Sequence, residues 1–194
     1  NQEIIVFSEL FLIGYPPTDH LLLKDKTSQI DDALNQLLKV STETSCLIVM
    51  GSPFFDGTHW RNAALAMANG EIVHKHFKNC LPNYDIFNDS RYFVPGENTT
   101  SFFWNNHHLA MLICEDIWVN KNHHRYSHDP VLLLKNKPLD LVIHLTASPF
   151  EKDKFNQRLA QVKRVALTLK SAVLTVNQVG GYNDILFDGQ SMYV

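Results

Sequence analysis

Short apolar runs, bounded by polar or turn-forming residues, punctuate this chain, and their period changes from element to element. Residues 4–7 (Ile-Ile-Val-Phe) read as a fully buried strand ending at Ser8-Glu9, and Gly14-Tyr15-Pro16-Pro17 marks a loop. Over residues 27–40 the apolar positions are Ile30, Ala33, Leu34, Leu37 and Leu38, the spacing of a helix with one buried face. Residues 46–50 form a second buried strand, closed by Gly51-Ser52-Pro53. Residues 60–68, rich in small side chains, and 72–77 read as a hairpin turning at Gly70. Residues 81–96 are a long aromatic loop. Strands follow at 101–104 and 109–113, around the polar tip Asn105-Asn106-His107-His108. A short helix at 130–135, a buried strand at 139–145, a one-faced helix at 153–169 and a strand at 172–176 come next. Gly180-Gly181 reads as a loop, Asp188-Gly189 as a turn, and 190–194 as a last strand. Strands alternate with helices, but hairpins interrupt the alternation. The expectation is an α/β sandwich with a mixed sheet rather than a simple doubly wound fold.

Length and composition narrow this without changing it. The 194 residues fit one domain, and 45% apolar content can fill a real core. A formal net charge of −3 with no basic stripe argues against nucleic acid as a partner. The apolar runs are far too short to span a membrane, and no secretory leader pattern opens the chain. The three cysteines, Cys46, Cys80 and Cys114, have no framework spacing, which fits a reducing cytoplasm. The chain lacks an initiator Met, enters a strand almost at once and stops within one, so we expect a fragment truncated at both ends.

The chemistry concentrates at strand ends. The apolar run 109–113 stops at Cys114, with Glu115 and Asp116 directly behind it. A cysteine there is lifted out of the sheet by a sharp turn, and the next backbone N–H faces whatever the sulfur attacks, the logic of a nucleophile elbow. Glu9 and Lys78 also stand at strand ends, where open α/β sheets build their sites. A cysteine can form a covalent acyl intermediate. A glutamate can take its proton and later activate water. A lysine can hold a developing oxyanion and favour the thiolate. Such a set suits attack on an amide or nitrile carbon and needs neither metal nor organic cofactor. His107-His108, and His123-His124 with His128, sit in polar stretches without the spacing of known metal sites, so no metal is expected. Cys46 and Cys80 read as inert packing, and Gly180-Gly181 carries no phosphate-cradling pattern.

Three motifs in order carry a resemblance. Phe7-Ser8-Glu9, followed by Gly14-Tyr15-Pro16-Pro17, resembles the first motif of the nitrilase (carbon–nitrogen hydrolase) superfamily. Lys78-Asn79-Cys80-Leu81-Pro82 resembles the second, and Cys114-Glu115-Asp116-Ile117-Trp118 the third. The loop from Leu81 through Tyr84, Phe87, Asp89 and Arg91 to Phe93 is similar to that of glutamine-dependent NAD synthetases. So is Thr146-Ala147-Ser148-Pro149-Phe150 followed by Lys154 and Arg158. The resemblance implies a nitrilase-like α-β-β-α sandwich acting as a glutaminase domain that spans residues 1–194 in part. It implies Glu9 as general base, Lys78 as oxyanion lysine, Cys114 as nucleophile, and the N–H of Glu115 as a further oxyanion donor. It also implies Tyr15, Tyr84, Asp89, Glu115, Ser148 and Lys154 around glutamine. Asp89 and Asn88 stand where the family loop usually carries Glu and Asp, and Asp89 could orient Lys78. Either Asp89 or Glu115 could meet the substrate ammonium, with Lys154 on its carboxylate. The implied partners are glutamine, a synthetase domain absent from this sequence, and further copies in a homo-oligomer. ATP and deamido-NAD belong to that absent domain. A free-standing amidase for another small amide, or an inactive assembly fragment with exposed sheet edges, are the competing readings.

Overall fold

The computed structural model describes residues 3–119 and 125–194. In chain order the elements are β1 (Ile4–Val6), α1 (Lys26–Thr42), β2 (Leu47–Phe55), β3 (Trp60–Ala68), β4 (Glu71–Phe77), β5 (Ser101–Trp104) and β6 (His107–Ile113). Then come α2 (Pro130–Leu133), β7 (Leu141–Thr146), α3 (Lys154–Leu169), β8 (Ala172–Asn177), β9 (Val179–Tyr182), β10 (Ile185–Asp188) and β11 (Met192–Tyr193). Single 3-10 turns lie at Asp19–Leu22, Asp89–Arg91 and Cys114–Ile117.

Two sheets form the centre, one ordered β1-β2-β3-β4 and the other β11-β8-β7-β6-β5. Both are mixed. β1 runs parallel to β2, whereas β2–β3 and β3–β4 are antiparallel. β6, β7 and β8 are parallel, with antiparallel β5 and β11 at the edges.

The period of two along each strand divides the apolar residues between layers. Leu47 and Val49 of β2 and Ala64, Ala66 and Ala68 of β3 face the second sheet. There they meet Leu109, Met111 and Ile113 of β6 and Ile143 and Leu145 of β7. The alternate residues Ile48, Met50, Leu65 and Met67 pack with Ile30 and Leu34 of α1. On the opposite side Ala110, Leu112, Val142 and Val173 pack with Val162, Val165 and Leu169 of α3 and Val131 of α2. The layers are therefore α-β-β-α. Because both faces of these strands are covered, their sequences read as continuous apolar runs. Each such Leu, Ile or Met contributes roughly 1.5–3 kcal/mol by burial. No helix among the described residues is long and apolar enough to cross a membrane.

Four local expectations need correction. β1 is half-buried, not fully buried, because it pairs only with β2 among the described residues. Cys46 precedes β2 and is half-buried, not inside the strand. His107 and His108 belong to β6; the hairpin tip is Asn105-Asn106 alone, with φ of 43° and 66°, the left-handed pair that a two-residue hairpin requires. Gly180-Gly181 is strand, not loop: it pairs with Phe187 and Leu186 of β10, whose ladder holds a backbone that glycine alone leaves free.

Candidate active site

Glu9 sits just past β1 in a turn pressed against β2. The Gly51 N–H donates to the Ser8 carbonyl at 3.1 Å, and the next residue, Leu10, takes a left-handed φ of 46°. A Cβ on Gly51 would collide with the backbone of Ser8, Glu9 and Leu10, so only glycine allows this approach. The Glu9 carboxylate is inaccessible to solvent. Its Oε1 accepts from Lys78 Nζ at 2.7 Å and from Asn62 Nδ2 at 2.8 Å, and its Oε2 from the Ala147 N–H at 3.1 Å.

Lys78 follows β4, and its N–H is held by the Asn62 carbonyl at 2.8 Å. Its Nζ also donates to Asp89 Oδ2 at 2.7 Å, and Asp89 Oδ1 accepts from the Tyr15 hydroxyl at 2.8 Å. A buried chain Tyr15–Asp89–Lys78–Glu9 results. Burial works against the Lys78 charge, but Asp89 and Glu9 outweigh it and hold its pKa well above the ordinary lysine value. Burial also lifts Glu9 above the ordinary glutamate range despite the pull of Lys78. A carboxyl poised in this way suits a group that must gain and lose a proton.

Cys114 ends β6 at a φ of +40°, a conformation that non-glycine residues rarely adopt, and opens the turn Cys114–Ile117. The first N–H groups of a helical turn have no intrahelical acceptor, so that of Glu115 is available beside the sulfur. The turn is braced from behind. His144 Nε2 donates to the Cys114 carbonyl at 3.2 Å, which leaves Nδ1 to accept from Thr175 Oγ1 at 3.2 Å. Asp116 accepts from the N–H groups of Ile113, Asn79 and Cys80, each at 3.0 Å, and from His76 Nε2 at 2.8 Å. This one carboxylate ties the end of β6 to the end of β4 across the two sheets. Burial pushes the Cys114 thiol well up, and the Glu9 charge adds to it. Lys78 and a hydrogen bond with the Thr146 side chain pull the other way. The resting group is thus a thiol within the field of a carboxylate and an ammonium.

Glu115 lies beside this centre. Its Oε1 and Oε2 each lie 3.0 Å from the Tyr84 hydroxyl, and Oε1 is 2.9 Å from that of Tyr126. Ser148 is buried just past β7, its N–H held by Asn177 Oδ1 at 2.8 Å. Lys154, the first residue of α3, lies 5.5 Å from the Trp118 ring centroid, with its Nζ 3.1 Å from Glu151. The structure thus joins Glu9, Lys78, Asp89 and Tyr15 directly, places Cys114 and Glu115 within reach of their charges, bonds Tyr84 to Glu115, and leaves Lys154 beside Trp118.

Sequence reasoning missed Asn62, Thr146, Asp116, His144 and Tyr126. A polar residue inside an apolar strand was the available signal for Asn62 and His144. Nothing local marked Tyr126. Among the histidines, His108 bonds the Pro138 carbonyl and Ser101, while His128 bonds Asn79 and Ser127. His123 and His124 lie outside the described residues. Among the described residues no three His, Cys, Asp or Glu side chains are grouped to hold a metal ion.

The whole chain, residues 1–194, matches the model of the carbon-nitrogen hydrolase family. The chain belongs to that family. Its relatives within the carbon-nitrogen hydrolases include a glutamine-dependent NAD(+) synthetase of Acinetobacter baylyi, 34% identical over 100% of this chain and 34% of that protein. A second, from Aquifex aeolicus, is 30% identical over 100% of this chain and 33% of its own length. Among solved structures, the glutamine-dependent NAD+ synthetase of Acinetobacter baumannii, in complex with ADP, superposes with a TM-score of 0.84 at 32% identity. That superposition covers 98% of this chain and 34% of the other. An amidase of the nitrilase superfamily from Nesterenkonia shares the fold, with a TM-score of 0.82 at 20% identity over 99% of this chain and 69% of its own. This carbon-nitrogen hydrolase chain spans about a third of the length of the synthetases it matches.

Proposed function

We propose that this chain hydrolyses the side-chain amide of glutamine through a cysteinyl thioester. The observation that carries the proposal is the buried Tyr15–Asp89–Lys78–Glu9 chain, whose carboxylate and ammonium act electrostatically on the Cys114 thiol. Glu9 takes the thiol proton as Cys114 Sγ attacks the amide carbon. The oxyanion that forms is held by Lys78 Nζ and the Glu115 N–H. As the tetrahedral intermediate collapses, Glu9 returns the proton to the departing nitrogen and ammonia leaves. Glu9 then activates a water, which cleaves the thioester to glutamate and free thiol. Asp89 keeps Lys78 charged and aimed. The cycle balances with no metal and no organic cofactor.

Asp89 already carries Lys78 and Tyr15, whereas among the described residues Glu115 is bonded by neutral phenols alone, which supports Glu115 as the seat for the substrate ammonium. In this reading Lys154 pairs with the substrate carboxylate, and Tyr15, Tyr84 and Ser148 complete the pocket. The ammonia, in this reading, feeds a synthetase domain that amidates deamido-NAD with ATP; relatives named glutamine-dependent NAD(+) synthetases support a link between glutamine and NAD synthesis. Three cysteines without framework spacing support a reducing, cytoplasmic setting. Exposed Leu167 and Tyr193 support self-association.

The test is ammonia release from L-glutamine and from simple aliphatic amides, with mass-spectrometric mapping of a glutamine-like electrophile. Glutamine turnover with an adduct confined to Cys114 is expected. Turnover of the aliphatic amides alone would favour a free-standing amidase, and labelling elsewhere would remove Cys114 from the mechanism.

A further inference from the structure

The Glu115 carboxylate is an unusual buried anion. No Lys, Arg or His among the described residues forms an ion pair with it, yet two phenols from separate loops donate to it. A cation would cancel its charge; phenols order the group and leave the charge in place. The Tyr84 hydroxyl straddles both oxygens, while Tyr126 bonds Oε1 alone at 2.9 Å. One hydroxyl proton cannot serve both oxygens at once. A carboxylate has about four acceptor sites, so two phenol protons leave room on it for an incoming donor. Tyr126 also lines a cavity of about 590 Å³ with Asn79, Glu97, Arg125 and His128.

We propose that Tyr126 is a specificity-determining positioning residue, holding the Glu115 carboxylate as the seat for a substrate ammonium and so selecting α-amino-acid amides over uncharged ones. The assignment rests on the glutaminase reading and adds to it a residue outside the three sequence motifs. Burial raises the Glu115 pKa, and the Tyr126 and Tyr84 hydroxyls work against that rise. The other groups facing it are Lys78, Asp116, Cys114 and Cys80, and Arg125 stacks on Tyr84 at 4.5 Å. Lys78 favours the anion and Asp116 disfavours it.

The experiment is Tyr126→Phe in the intact protein, with ammonia release followed from L-glutamine and from uncharged butyramide across the pH range. Losing one hydrogen bond to a charged group predicts a rise of about tenfold in KM for glutamine. We expect kcat within about twofold of wild type and butyramide turnover unchanged, because the bond acts on ground-state binding of the ammonium. The acid limb of kcat/KM for glutamine should move to higher pH. In a Glu115→Gln background the same substitution should add nothing further. An unchanged KM for glutamine would overturn the assignment, and equal losses on both amides would make Tyr126 purely structural. Wild-type turnover of butyramide without glutamine would sink the glutaminase reading and this one with it. Glutamine turnover indifferent to Tyr126→Phe would sink only the Tyr126 assignment.

Discussion

Replacing Lys78 by Met keeps an unbranched side chain one atom shorter and deletes its charge. Lys78 Nζ lies 2.7 Å from both Glu9 and Asp89, and all three side chains are essentially shut off from solvent. The substitution strands two carboxylates in the interior. Breaking a buried ion pair by removing one partner costs about 3–5 kcal/mol. For a chain of this size each kcal/mol moves Tm by roughly 2–4 °C, so a fall of about 6–20 °C is expected near neutral pH. The pH dependence has a definite sign. Burial already raises the folded-state pKa of Glu9, and without Lys78 it rises further. A carboxylate whose folded pKa lies above its unfolded value favours the fold at low pH and opposes it as pH climbs through the folded pKa. The Met variant should thus lose most stability at alkaline pH and least in mild acid. Thermal unfolding at about pH 5 and about pH 8 reads this directly. The triple variant Glu9→Gln, Lys78→Met, Asp89→Asn removes every charge of the cluster and should recover most of the stability. Its glutamine hydrolysis should stay lost, as in the single variant, where loss of an oxyanion donor alone costs about 10²–10³-fold. A Lys78→Met protein melting within about 2 °C of wild type at both pH values would refute the stability argument. So would a triple variant no more stable than the single one.

Glu9 must be ionised to accept the thiol proton, so kcat/KM for glutamine should fall on the acid side at a pH above the ordinary glutamate value. Glu9→Gln should cost about 10²–10⁴-fold and leave only the part of the acid limb that Glu115 contributes, and an acid limb unchanged by the substitution would remove Glu9 from the proton transfer. Gly51→Ala should cost about 1–3 kcal/mol by overpacking and far more in kcat, because the backbone it strikes carries Glu9. An active, normally melting Gly51→Ala protein would contradict the close approach. Burial lowers the His144 pKa to about 4, below its unfolded value. Stability from this group is full above the unfolded pKa and is lost as pH falls toward the folded one, up to about 3 kcal/mol in all. His144→Gln should flatten the acid slope of Tm against pH, and an unchanged slope would place the acid lability elsewhere.

The layer plan was legible because period and composition agree along β2, β3, β6 and β7: uninterrupted apolar runs mean strands covered on both faces. The positions of Glu9, Lys78 and Cys114 at strand ends were legible for the same reason. What escaped depends on contacts between distant segments. Asn62 looked like one more residue of a small-residue strand, yet it touches Glu9 53 positions away. Asp116 lay inside a recognised motif, but its task, gathering N–H groups from β4 and β6, exists only once both sheets are assembled. Gly180-Gly181 was misread because glycine sets what a backbone can do, while the ladder to β10 sets what it does. Cys46 and His107-His108 were misassigned by one or two positions, the usual uncertainty where an element begins.

Cys114 ends a strand of one sheet, while Glu9 and Lys78 follow strands of the other. Until the two slabs dock through their alanine and leucine faces, the thiol has neither its acceptor nor its cation. A half-assembled molecule therefore carries the sulfur without the paired carboxylate and ammonium whose charges act on it in the closed one.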